Sequence, residues 1–175
     1  MIQEHGALEE KLVAKYAYQI LLGLNYLHDN GIAHRDIKGA NVLLSAAGED
    51  GHCKLADFGA SKRVEANSIV SGLKGTPHWM APEVIKGQQN DHGWKKADVW
   101  SIGCTAIEMV TGKMPWPMFP NPMAAMYHIA NGERPPVDID LSPDADSFLE
   151  ACCQGVRVPA SSVPALPASM PLHLR

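Results

Sequence analysis

The sequence predicts a mainly α-helical fold carrying one small β-hairpin, and three observations lead there. Apolar residues recur at helical spacing over residues 8–27, a long apolar stretch at 100–110 ends in glycine and proline, and two prolines directly follow N-cap residues. The 175 residues, 46% of them hydrophobic and 19% charged, hold enough apolar surface for one ordinary core, so one domain is expected.

The first helix is read from Leu12, Tyr16, Ile20 and Leu24, flanked by Val13, Ala17 and Leu21, which together form one face. Asp29, Asn30 and Gly31 supply its stop. Two short apolar runs, 42–44 and 53–56, flank the turn-forming residues 46–51 and predict the hairpin. Residues 100–110 are apolar except for Ser101, Thr105 and Glu108, and Gly112 and Pro115 follow, which predicts a largely buried helix. Asn121 with Pro122 and Ser142 with Pro143 open two further helices, running to about Ala130 and Cys152. Residues 154–175 change character: Pro159, Pro164, Pro167 and Pro171 stand among small residues with no helical period. That tail is expected to be disordered, leaving residues 1–153 as the structured unit.

A formal net charge of −4 gives no basic surplus, so no nucleic-acid partner is expected. Cys53, Cys104, Cys152 and Cys153 form neither a dense disulfide framework nor a CxxC zinc pair, which fits a reducing compartment. No stretch approaches the ~18 uninterrupted apolar residues of a membrane span, and no Asn-x-Ser/Thr sequon occurs. A cytoplasmic protein without a membrane partner is expected.

Three short motifs follow one another in order. His34, Arg35, Asp36, Ile37, Lys38, Gly39, Ala40 and Asn41 lie between the first helix and the hairpin; Asp57, Phe58 and Gly59 follow the hairpin. Residues 75–83, reading GTPHWMAPE, close a segment rich in hydroxyls and cations. Transfer of a phosphoryl group to an alcohol needs an acceptor for the hydroxyl proton, which Asp36 can be. It needs oxygen ligands for magnesium, which Asn41 and Asp57 can supply. Lys38 adds a cation for the transferring group, and Gly59 is expected to let the backbone turn away. Asp-Phe-Gly alone is weak; the ordered combination is specific.

With these motifs the sequence resembles the protein kinase superfamily over about residues 2–153. The strings HRDIKGANVLL, KGTPHWMAPEVI, ADVWSIGCTAIEMVTGKMPW and HIANGERPP resemble the mitogen-activated protein kinase kinase kinases of the sterile-like group, and Lys38 with Thr76 matches the serine/threonine pattern. The resemblance implies the C-terminal (large) lobe of the kinase fold, ATP and Mg2+ as cofactors, and another kinase as protein substrate. It implies catalytic roles for Asp36, Lys38 and Asn41, nucleotide contacts from Lys38, Asn41 and Asp57, and metal ligation by Asn41 and Asp57. Asp98 would brace the catalytic loop. Arg35 would read a phosphate on the activation loop, with Ser68 and Ser71 as the best phosphosites, and Thr76 would be a structural hydroxyl near Asp36 and Lys38 that can also be a phosphosite.

No glycine-rich loop, VAIK-type lysine or partnering glutamate precedes these motifs, so an absent N-terminal lobe is expected. Downstream the family expects an arginine paired with the equivalent of Glu83; Arg157 stands in no matching context, which leaves Glu83 without that partner. A competing reading is a non-catalytic module that docks substrates or partner kinases around residues 123–132. The remaining candidates read as structure: His34 as a core histidine under the loop, Trp79 and Trp100 as packing residues, and Cys152 and Cys153 as helix core. His92, Lys95 and Lys96 read as a solvated turn.

Overall fold

The computed structural model describes residues 6–45, 51–63, 74–88 and 93–153. Helix α1 (Glu10–Asp29) buries Val13, Tyr16, Ala17, Ile20, Leu21 and Leu24, the face its periodicity marks. It starts two residues later than the apolar pattern does, and the Leu8 amide ahead of it donates to the carbonyl of Met109 at 2.8 Å. Its stop is local: Asn30 Nδ2 donates to the Tyr26 carbonyl at 2.8 Å, and Gly31 turns left-handed at φ 68°.

Strands β2 (Val42–Ser45) and β3 (His52–Leu55) pair antiparallel with Val42 opposite Leu55 and Leu44 opposite Cys53. Gln19 Oε1 of α1 accepts the Cys53 amide at 2.7 Å, and burial pushes the Cys53 thiol up to about 11. A second ribbon pairs β1 (Ile32–Ala33) with β4 (Lys62–Arg63). Two residues per strand carry no alternation to read, and the sequence did not signal it.

A one-turn helix, α2 (Pro82–Ile85), precedes the central helix α3 (Gly93–Thr111). Helix α3 begins at Gly93 rather than at Trp100, so Lys95 and Lys96 lie on its first turn and not on a solvated turn. The buried positions Trp94, Ala97 and Asp98 carry the helical face upstream, and the two lysines mask it in the sequence. His92 lies outside the described residues.

Helix α3 is buried nearly all round because it separates two cores. Ile102, Ala106, Ile107, Met109 and Val110 face α1 and the hairpin. Trp94, Ala97, Trp100 and Cys104 face Trp79, Trp116 and the last two helices. Helix α4 (Pro122–Ala130) opens with Asn121 Oδ1 accepting the Met123 amide at 2.9 Å. Helix α5 (Pro143–Cys153) opens with Ser142, whose Oγ accepts the Ala145 amide at 3.3 Å and also donates to Glu10. Cys152 and Cys153 are buried on α5, and Trp79 and Trp100 are buried elsewhere in the same core, the packing roles expected of them. Among the described residues no helix is long and apolar enough to cross a membrane.

Candidate active site

The chain leaves β1 into the segment 34–41, which has no regular hydrogen bonding of its own until a 3₁₀ turn at Gly39–Asn41. Its shape is imposed from α3. Asp98, 1% exposed, accepts the backbone N–H of His34 at 2.9 Å and of Arg35 at 2.7 Å, and His28 Nε2 lies 2.8 Å from the same carboxylate. Arg35 sits at φ 72°, a left-handed conformation that costs a non-glycine residue free energy and persists only where surroundings enforce it. Charge-assisted bonds from Asp98 provide that enforcement. His34 is fully buried beneath the loop, its ring 5.2 Å from that of Phe58.

The kink presents Asp36. Its carboxylate accepts from Thr76 Oγ1 at 2.6 Å, from Lys38 Nζ at 2.9 Å and from Asn41 Nδ2 at 3.1 Å, while Lys38 Nζ also donates to Thr76 Oγ1 at 2.7 Å. Burial alone would raise the Asp36 pKa, but the bonds from Thr76, Lys38 and Asn41 and the lysine's charge overcome it and hold the carboxyl below its ordinary value. Segment 74–76 reaches the loop closely enough for this because Gly75, at φ 117°, has no side chain: a Cβ there would stand 2.7 Å from the Arg35 carbonyl oxygen.

The hairpin brings in the third motif. Its pairing is extended by the Ala56 amide donating to the Asn41 carbonyl at 2.9 Å, so Asn41 and Asp57 end up next to each other. Asn41 is buried and its Nδ2 is committed to Asp36, with 2.7 Å to the backbone oxygen. Asp57 is exposed and accepts the Gly59 amide at 3.2 Å. The backbone turns at Asp57 itself, φ 60° and ψ 76°, and not at Gly59, which corrects the expected use of that glycine.

Sequence reasoning named Asp98 but assigned no part in this site to Ser101, Thr105 and Glu108. The four follow one another at spacings of three or four, one polar stripe along an apolar helix. Ser101 Oγ donates to the Trp79 carbonyl at 2.8 Å, and Glu108 accepts from Gly39 and Trp79. The polar exceptions in 100–110 were therefore the signal. Trp94 is another: the Arg35 guanidinium lies 4.4 Å above its ring. Ser68, Ser71 and Arg157 lie outside the described residues. Glu83 is buried but not bare; burial raises its pKa, and a backbone hydrogen bond with the charges of Lys96 and Lys86 pulls the other way.

A helical body whose buried central helix clamps an Arg-Asp loop through one polar stripe, against a hairpin and a Gly-Thr-Pro segment, defines a protein kinase, and the protein kinase domain matches residues 1–158. The chain belongs to that family. It is similar to mitogen-activated protein kinase kinase kinase 2 of Arabidopsis thaliana, 49% identical over 158 residues that cover 88% of this chain and 23% of the relative. It is similar also to mitogen-activated protein kinase kinase kinase 3 of Mus musculus, 48% identical over 153 residues covering 85% and 23%. With mitogen-activated protein kinase kinase kinase 18 of Arabidopsis thaliana the identity is 46% over 151 residues, 84% of this chain and 42% of the relative. The chain spans about a quarter of the length of the first of these relatives.

Proposed function

We propose that the chain forms the large lobe of a cytoplasmic serine/threonine protein kinase of a mitogen-activated cascade, transferring the γ-phosphoryl of ATP to a Ser or Thr of another kinase. The observation that carries this is the carboxylate of Asp36 held by Lys38, Thr76 and Asn41 within one hydrogen-bonded cluster. Asp36 orients the acceptor hydroxyl and takes its proton. Lys38, already bridging Asp36 and Thr76, stands where charge develops on the transferring group.

The donor set fits magnesium, a hard cation that takes oxygen ligands. Asn41 gives its amide nitrogen to Asp36, which leaves its carboxamide oxygen for a cation, and Asp57 adds an exposed carboxylate beside it. Bound with ATP, the ion would neutralise phosphate charge. Asp98 acts one layer behind, by fixing the backbone that carries Asp36. Arg35, stacked on Trp94, is the cation to receive an activating phosphate from Ser68 or Ser71. Glu83 is assigned a structural role at the buried start of α2.

The test is transfer of labelled phosphate from magnesium ATP to a generic protein, the chain against Asp36→Asn. Loss of the proton acceptor lowers the rate by about 10²- to 10⁴-fold. Equal rates in both proteins would remove Asp36 from the mechanism. Silence in both favours the docking reading, for which the observation is the exposure of Met123 at 71% and Tyr127 at 67% on α4.

A further inference from the structure

Two hydroxyls in the chain stand directly before a proline, those of Thr76 and Ser142. Thr76 is half-buried and its hydroxyl is bonded to Asp36 and Lys38. Ser142 lies on the outside, exposed together with Ile139, Asp140, Pro143 and Asp144, at the end of a stretch, 133–142, that forms neither helix nor strand. It also makes a long-range link. Its backbone N–H donates to Glu10 Oε1 at 3.0 Å and its hydroxyl donates to Glu10 Oε2. One residue pair, 132 positions apart, therefore ties the start of α1 to the start of α5.

We propose that Ser142 is a phosphorylation site for a protein kinase that selects proline directly after the acceptor, and that phosphate there releases α1 from α5. This goes beyond the kinase reading, because Ser142 is the group acted upon. An acceptor has to enter the modifying enzyme's groove on an accessible, irregular segment, which 138–142 supplies. Pro143 offers that enzyme a ring and a fixed φ, and having no N–H it takes no helical hydrogen bond with it when residues 138–143 are drawn out. What gives way is the pair of Glu10 contacts, the Ala145 amide bond to Ser142 Oγ at 3.3 Å and the Asp146 amide bond to the Ser142 carbonyl at 3.0 Å. In the transfer, Ser142 Oγ attacks the γ-phosphorus of ATP, the bond from that phosphorus to the bridging oxygen breaks and ADP leaves. The hydroxyl proton passes to the modifying enzyme's base. The product has lost the proton that Glu10 accepted and brings a charge of about −1.5 to −2 against Glu10, Asp144 and Asp146, the acids of the two first turns. Glu10 is repelled. The phosphoserine oxygens still accept the Ala145 amide, so α5 keeps its start while α1 lets go.

The test mixes the full chain, carried as Asp36→Asn so that every phosphate comes from the added enzyme, with magnesium ATP and an active proline-directed protein kinase as the probe. Phosphate is mapped by mass spectrometry and is expected on Ser142. Pro143→Ala lowers its rate of incorporation about tenfold or more, and Glu10→Ala, which frees the hydroxyl, raises it about twofold or more. In amide hydrogen exchange, the phosphorylated chain shows the Ser142 amide exchanging about tenfold faster while the Ala145 amide and the buried α3 amides keep their protection. A synthetic peptide of residues 136–148 is the control for the sequence. A peptide modified where the folded chain is not would show that the fold withholds Ser142, and a peptide and chain both unmodified would show that proline does not mark it; either result overturns the proposal. Equal rates in Pro143→Ala and its parent remove the selecting proline, and an unchanged Ser142 amide after phosphorylation removes the release of α1. Should Pro143→Ala fail to fold, mapping on the parent chain against the peptide carries the test.

Discussion

Asp36 is a carboxylate that burial alone would turn into a weaker acid, and its neighbours reverse that outcome. Thr76, Lys38 and Asn41 all donate to its charged form, so it is ionised and oriented at neutral pH. Because the folded value lies below the unfolded one, about 3.9 for an aspartate, this site stabilises the fold above that pH and loses the contribution as pH falls through the folded value. Glu83 and Glu108 run the other way. Burial raises both, so the folded state holds their protons more tightly than the unfolded chain does. Their contribution to stability declines as pH rises from about 4.3, the ordinary glutamate value, through the raised folded values. Thermal unfolding followed from pH 4 to 7 is expected to show this decline, and Glu83→Gln to flatten part of it. An unchanged slope in Glu83→Gln would mean that its carboxyl titrates alike in both states.

At the scale of elements, the contact of α3 with α5 is set by a glycine. A Cβ at Gly103 would stand 2.7 Å from Cys152 Cβ and 2.8 Å from Cys153 Sγ, both parts of side chains 3% exposed. Gly103→Ala therefore forces the helices apart, at about 1–3 kcal/mol by analogy with other overpacked cores. Urea denaturation measures it, and a stability equal to wild type would show that the two helices slide without cost. Helix α4 depends on a cap instead. Asn121→Ala removes the acceptor for the Met123 amide and is expected to cost about 1 kcal/mol. The same denaturation experiment reads it, and any larger loss would show that Asn121 supports more than the helix start.

Across the whole molecule, Asp98 joins the end of α1, the loop 34–36 and the central helix through three contacts on one carboxylate. Asp98→Ala leaves the buried His34 and Arg35 amides without acceptors and is expected to destabilise by about 3 kcal/mol or more. Its unfolding transition should broaden as the parts separate, visible by comparing tryptophan fluorescence with far-UV circular dichroism. Coincident, sharp transitions would show that the two cores hold the molecule together without it.

The sequence made α1, the hairpin, α4 and α5 legible because each has a local signal: a helical period, paired apolar runs, or a cap before a proline. Of these, α1 starts two residues inside its apolar pattern, with the Leu8 amide ahead of it donating to Met109. The upstream half of α3 was hidden by Lys95 and Lys96, which lie on a helix buried on its other sides. By itself the sequence determined the order of the chemical groups, Asp36, Lys38, Asn41, Asp57 and Thr76, and the helices that flank them. Only the tertiary structure decided that Asp98 takes the amides of His34 and Arg35, that the backbone turns at Arg35 and Asp57, and that Glu108 stands behind the loop. Periods and caps act over a few residues and can be read along a chain, whereas a carboxylate's partners are chosen by how buried helices pack.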